Sequence, residues 1–283
     1  MPNLRVICDN AAARAALTAS SSVGALTVGN LNVPMKSVVW RSASAAAGAT
    51  PTATLTATWP SPEIIAGVVL PFCNLTSQAT LRVRGYSLPG DTVPLFDTGA
   101  VLACPALTLG TWPWGTIPLG ANAYSFGGSA CARVWIASAG AVKKLVIDIS
   151  DPGNPGGYIE SSYLVAGSYW EAEKNADYGA SAQPVDSSKN YRNDAGDLMS
   201  DIGPRSGKMS FNLAKMGPSD RNTAWSLLRG RGITQPVFIS LFPESADTGL
   251  EQQFQMYGKL VTTPAMTLPF FNIASATIEV ESI

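Results

Sequence analysis

Thr52-Ala-Thr-Leu-Thr-Ala-Thr-Trp59 places a hydroxyl at every even position and an apolar side chain at every odd one. Alternation with period two is the pattern of a β-strand with one wet face and one core face. The same pattern returns where Leu81, Val83 and Gly85 alternate with Arg82, Arg84 and Tyr86. Between them, Ile64 to Leu70 is continuously apolar, as in a strand covered on both faces. Arg133-Val-Trp-Ile136 and Lys144-Leu-Val-Ile-Asp-Ile149 read as a strand pair joined by a turn at Ala137-Ser-Ala-Gly140. Tyr158 to Trp170 reads as another long strand. Leu88-Pro-Gly-Asp91, Gly127-Gly128 and Asp151-Pro-Gly-Asn-Pro-Gly-Gly157 supply turn signals. Short strands separated by Gly and Pro predict a mainly β fold, with a jelly-roll β-sandwich over residues 1–172.

Residues 173–206 are polar and rich in Asp, Asn and Ser, which predicts an extended arm or linker. A second unit follows over 207–283. Met209, Phe211 and Leu213 alternate in one strand, and Ile278 and Val280 in another, with Glu279 and Glu281 on its wet side. Pro236 to Phe242 and Phe254 to Leu260 add two strands, the latter with Phe254, Met256 and Leu260 on one face. One helix is legible, Pro218 to Arg229. Pro at its start, Asp220 in its first turn and Arg229-Gly230 at its end are terminus signals. Ala224, Trp225 and Leu228 share a face, which leaves Trp225 either as the anchor of the helix on the sheet or as a subunit contact. The unit reads as a small β-sandwich or barrel with one helix.

Composition excludes several chemistries. The chain has no histidine, which removes Ser-His-Asp and Cys-His nucleophiles and His-based zinc sites. Its net charge is −1 and 14% of its residues are charged, against roughly 25% in an average protein, which argues against a nucleic-acid binder. Cys8, Cys73, Cys104 and Cys131 have no metal-site spacing and sit beside apolar residues, so buried free thiols are expected. Met1 to Asn10 lacks the features of a signal peptide, which predicts a protein made in a cytoplasm without classical export. The longest apolar run, Ile64 to Cys73, is too short to span a bilayer, so no membrane insertion is expected.

The motifs are sparse. Gly127-Gly-Ser-Ala-Cys131 lacks the last Gly of a nucleophile elbow and reads as a turn. Asp194, Asp197 and Asp201, near Asn190 and Asn193, offer carboxylates for a glycosidase or a cation, but a solvated or subunit-contacting segment is the better reading. Asp148, Asp151 and Asn154 likewise read as a tight turn before a cation cup. Trp112-Pro-Trp114-Gly offers two rings that stack on a sugar, against the alternative of packing at a core or interface. Asn74-Leu-Thr76 matches a glycosylation sequon. No catalytic residue, metal ligand or cofactor site is assigned.

Several phrases occur together. They are Asn30-Leu31 followed by Lys36-Ser-Val-Val-Trp-Arg-Ser42, Leu70-Pro-Phe-Cys-Asn-Leu75, Ala79-Thr-Leu-Arg-Val-Arg84 and Asp97-Thr-Gly-Ala100. Asn175-Ala-Asp-Tyr-Gly179, Tyr191-Arg-Asn-Asp-Ala-Gly-Asp197 and Leu241-Phe-Pro-Glu-Ser-Ala246 complete the set. In these the chain resembles virion structural proteins encoded in the tail-tip region of long-tailed phages of Gram-negative bacteria. Its first half is similar to discoidin-like, galactose-binding jelly rolls, and its second to tail-tube or distal-tail ring folds. The resemblance implies a non-enzymatic subunit of a tail tip or baseplate in the virion. It would form a hexameric or trimeric ring between tail tube, hub and fibre proteins, with DNA passing through without specific binding. Asp194, Asp197, Asp201, Trp225, Glu279 and Glu281 are the candidates for assembly contacts or for the channel wall. The alternative is an accessory module that binds a host surface glycan through Trp112 and Trp114. A cell-wall glycosidase ranks last, because its acids lie outside an aromatic cleft.

Overall fold

The computed structural model describes residues 2–106, 115 and 130–283. The chain is mainly β and divides into two compact units, Met1–Glu171 with Val237–Gln255, and Ala172–Pro236 with Met256–Ile283.

The first unit opens with β1 (Arg5–Ile7), β2 (Ala16–Ala19), β3 (Trp40–Arg41) and β4 (Thr52–Cys73). Then come β5 (Thr80–Tyr86), β6 (Phe96–Asp97), β7 (Val101–Leu102) and β8 (Ala130–Ser150). Three short strands follow, β9 (Glu160–Ser161), β10 (Val165–Gly167) and β11 (Trp170–Glu171). The two long strands organise the unit. β4 and β8 pair antiparallel from Thr52 opposite Ser150 to Cys73 opposite Ala130. The register shifts between Thr58 and Glu63, between Ile65 and Gly67, and between Pro71 and Cys73.

Those bulges decide which side chains face inward. Ala53, Leu55, Ala57 and Trp59 fill the core from the first half of β4, and Val68 and Leu70 from its second half. On β8 the inward set is Ala130, Ala132, Val134 and Ile136, then Leu145, Ile147 and Ile149. The parity changes in each strand, because a bulge rotates the alternation by one residue. β2 flanks the first half of β4, whereas β9 and β10 flank the second. β5 flanks the second half of β8. The two halves of one ladder thus enclose a single core, an antiparallel sandwich of jelly-roll type. Its buried indoles are satisfied: Trp59 Nε1 donates to the Ala11 carbonyl at 2.8 Å, and Trp40 Nε1 to the Ser21 carbonyl at 3.2 Å.

Three expectations need correction here. Ala137-Ser-Ala-Gly140 is not a turn; it lies within β8, and both flanking segments pair with β4. Tyr158 to Trp170 is not one strand but the three short pieces β9, β10 and β11. The unit also takes back a later segment. β16 (Val237–Ser240) pairs with β1, which pairs on its other side with β11. After it comes a short helix, α2 (Thr248–Gln253), capped by the Asp247 carboxylate, which accepts from Gly249 N at 3.0 Å and Leu250 N at 3.2 Å. Residues 237–255 therefore leave the 207–283 unit that local pattern suggested, because strand pairing at long range overrides it.

The second unit holds β12 (Ser181–Asp186), β13 (Lys189–Arg192), β14 (Leu198–Asp201), β15 (Arg205–Met216) and α1 (Pro218–Arg231). It continues with β17 (Gln255–Leu260), β18 (Met266–Phe270) and β19 (Ile273–Ser282). β19 pairs with β15 on one side, and with β17 and β18 on the other. β12 pairs with β15 and carries Pro184, which an outer strand tolerates. The segment 173–206 is thus not an arm without structure. It supplies β12 and a separate β13–β14 hairpin. Its strands escape a pattern reading because nearly every residue of them is exposed.

On β17 the buried residues are Gln255, Tyr257, Gly258 and Leu260, with Met256 half-buried, so the expected Phe254-Met256-Leu260 face is offset. α1 starts at Pro218 after Gly217 as expected, but runs past Gly230 to Gly232, whose φ of +56° ends it. Asp220 and Ala224 are its buried residues. Trp225 is 55% exposed, so it does not anchor the helix.

Close approach makes one glycine testable. A Cβ on Gly167 in β10 would lie 2.2 Å from the Asp9 carbonyl oxygen, whereas one on Gly90 would meet nothing within 4 Å. Gly167→Ala is expected to lower stability by about 1–3 kcal/mol in urea unfolding. Gly90→Ala should leave the midpoint in place. Equal effects would contradict this packing.

Candidate functional surfaces

The exposed apolar side chains are unevenly distributed. Eleven of the eighteen exposed large apolar residues among those described belong to the second unit, which is about a third of the chain. Seven of the eleven lie on three elements. The β13–β14 hairpin and its flank carry Tyr191, Leu198, Met199 and Ile202. α1 carries Trp225. The β18–β19 turn carries Phe270 at 71% and Phe271 at 92% exposure, next to Asn272 in the left-handed region at φ +56°. Scattered exposed apolar residues are ordinary; here they are concentrated in one unit.

The acids singled out in the sequence are spread over this unit. Asp194, Asp197 and Asp201 are all exposed on the β13–β14 hairpin. The Asp197 backbone N–H donates to Asn193 Oδ1 at 2.8 Å, and Arg192 donates to the Gly196 carbonyl at 2.6 Å, which ties the loop closed. Asp201 sits at the base of the hairpin, opposite Lys189. Glu279 pairs with Lys208 at 2.9 Å, and Glu281 is exposed on the same strand. The described residues contain no group of acids, Cys or His arranged to hold a metal ion.

Trp112 and Trp114 lie outside the described residues, as does Gly127-Gly-Ser129. The other sequence candidates in the first unit are structural. Asp151 is fully buried, and its carboxylate accepts from Thr76 N at 2.9 Å and from Asn154 Nδ2 at 3.2 Å. Asp148 accepts from Thr54 Oγ1 at 3.0 Å and pairs with Arg84. Asn74 uses both ends of its amide, donating to the Tyr158 carbonyl at 2.9 Å and accepting from Glu160 N at 2.8 Å. No disulfide forms among the described residues; Cys8, Cys73 and Cys104 are buried, and Cys131 is partly so.

The first unit also contains an ionic network that local pattern did not reveal. Arg133 on β8 forms a two-pronged pair with Glu251 on α2, with Nε to Oε1 at 2.9 Å. The side chains are 11% and 1% exposed. Burial works against the Arg133 charge, but the Glu251 hydrogen bond and charge more than offset it, and its pKa is raised. Glu251 Oε1 also accepts from Glu244 N at 2.9 Å. Glu244 in turn pairs with Arg5 at 2.8 Å, and Arg5 with Glu171 at 2.9 Å. The Arg5 guanidinium lies 5.0 Å from the Trp135 ring centre and 4.6 Å from that of Tyr169. This chain of charges fixes residues 237–255 to the sandwich.

No family model matches the chain, and no curated protein matches it. Solved structures with some likeness include carbohydrate-binding modules. A chitosan-binding module of a Paenibacillus sp. IK-5 chitosanase/glucanase is 13% identical, covering 56% of this chain and 99% of that one, with a TM-score of 0.36. The family 32 CBM of C. perfringens NanJ, in complex with galactose, is 11% identical over 59% and 99%, with a TM-score of 0.37. A Streptococcus pneumoniae fucose-binding module is 10% identical over 57% and 99%, with a TM-score of 0.36. Scores of this size give a likeness of outline, and no ligand follows from them for this chain.

Two ion pairs separate buried from wet electrostatics. Glu251→Gln leaves Arg133 buried without its counter-charge, and a loss of about 3–5 kcal/mol is expected in urea unfolding. Arg82→Ala removes an exposed partner of Asp97 and should change stability little. The Asp97 carboxyl is held down to about 2 by the Arg82 hydrogen bonds, then by the Gly99 N–H. Its contribution is therefore complete above the ordinary value of 3.8 and lost as pH falls through about 2. NMR titration should place the Asp97 midpoint near 2; a midpoint near 3.8 would break the pair.

Proposed function

We propose that the protein is a non-catalytic structural subunit that assembles through its second unit and carries the sandwich as a presented module. The observation behind this reading is the concentration of exposed apolar side chains on the β13–β14 hairpin, α1 and the β18–β19 turn. A surface of this kind costs free energy in water and loses that cost when covered. The absence of histidine from the sequence, and the wide spread of Asp194, Asp197 and Asp201 along one wet hairpin, favour assembly over catalysis.

The sequence phrases given above supply the finer setting. It is the tip of a phage tail, with a distal-tail-type ring between tube, hub and fibre proteins. With 14% charged residues, such a ring would be held mainly by apolar contacts. Sedimentation of the purified protein should therefore show self-association, or co-assembly with tail-tip proteins, that persists in moderate salt. A chain that stays monomeric at all concentrations and with every tail partner would overturn the reading.

A second reading is glycan binding by the sandwich. The three similar modules are, by name, bound to or built for chitosan, galactose and fucose. In this chain the rings for stacking on a sugar are Trp112 and Trp114. None of the exposed large apolar residues described in the first unit is aromatic, so the reading stands on that pair. On a glycan array the parent protein should then bind a sugar that the Trp112→Ala variant loses. Unchanged binding would remove both rings from the account.

A further inference from the structure

We propose that copies of this chain meet head to tail, the acidic β13–β14 hairpin of one lying on a basic and aromatic stripe of α1 in the next. The proposal deepens the assembly reading by naming the two surfaces and their occupant.

The stripe follows from helical spacing. Arg221, Trp225 and Arg229 are four residues apart and run along one side of α1. The adjoining side, with Asp220 and Ala224 buried, lies against β15 and β19. Trp225 and Arg229 are exposed, and Arg221 is half-buried with its guanidinium on the neighbouring Asn222 side chain at 3.3 Å. Among the described residues, neither Arg221 nor Arg229 forms an ion pair. An indole between two guanidinium groups is the composition of an interface anchor, since Trp and Arg carry much of the binding energy where proteins meet.

The hairpin has the complementary composition. Its loop, Asn193-Asp-Ala-Gly-Asp197, bears two carboxylates and no cation, and the Arg192 beside it is engaged on the Gly196 carbonyl. Tyr191, Leu198 and Met199 stand next to the loop, 56%, 61% and 45% exposed. Carboxylates can meet Arg221 and Arg229 while the apolar residues cover Trp225. Opposite charges would select the pairing and its orientation, and the apolar contact would hold it in moderate salt. Made once between each pair of copies, the contact is heterologous. It leaves a free hairpin at one end and a free stripe at the other, and it propagates into a ring or a filament.

The test is a charge exchange in the full-length protein. One variant carries Arg221→Glu and Arg229→Glu, and the other carries Asp194→Lys and Asp197→Lys. Thermal melting should show both folded, since all four side chains lie outside the buried core. In the first variant both surfaces are acidic, and in the second both are basic, so each alone should associate at least about tenfold more weakly than the parent by sedimentation. Mixed in equal amounts they should recover association, because each helix then finds a hairpin of opposite sign. If the parent assembles and either variant still assembles like it, or the mixture fails to recover, this pairing is wrong while the assembly reading stands. If the parent does not assemble alone, the homotypic contact is overturned, and co-assembly with tail-tip partners decides the assembly reading separately.

Discussion

The β4–β8 ladder is the constraint on which the first unit depends. Each strand is long enough to serve both layers of the sandwich, and the register shifts near Glu63 and Gly67 turn its inward face over at the change of layer. The remaining strands add to a surface that this pair has already curved. The ladder also sets where the charged network forms. Arg133 projects from the half of β8 that lacks β5, and there it can be covered by the returning segment with Glu251. Such a pair contributes less to net stability than to uniqueness, because desolvation consumes most of its attraction. Its effect is to allow one docking of residues 237–255 and to penalise every other.

The second unit is organised differently. Its sheet is closed on the inside by Met209, Phe211, Leu213, Ile278 and Val280, all buried. Its outward elements retain aromatic and aliphatic side chains, which the proposed assembly would cover. The hairpin pairs from Lys189 opposite Asp201 at its base, and is closed at its loop by Asn193. A hydrogen-bonded projection with exposed Leu and Met is poorly suited to remain alone in water, and well suited to be covered.

Strands with a buried face were legible in the sequence, and strands exposed on both faces were not. Thr52 to Trp59, Leu81 to Tyr86 and Lys208 to Leu213 alternate because one side is wet, and each is a strand. The hairpin 189–201 is wet on both sides, so its strands left no period to read. Ala137 to Gly140 had the composition of a turn, yet pairing with β4 carried β8 straight through it. Trp225 stayed open between anchor and subunit contact, because helical spacing gives residues that share a side without saying which side is covered. Arg133 and Glu251 are separated by 118 positions, and nothing local marks either as a partner. The candidate surfaces were partly visible: the acids and Trp225 could be named from the sequence, while the basic stripe of α1 and the aromatic β18–β19 turn required the backbone.

The central claim is that the second unit is the assembling surface. Hydrogen–deuterium exchange of the full-length protein, compared between dilute and concentrated solution, tests it most directly. The account predicts new protection on concentration within residues 189–202, 218–231 and 266–273, with the β4–β8 ladder unchanged. Protection confined to the sandwich, or none at any concentration or with any tail-tip partner, would contradict it.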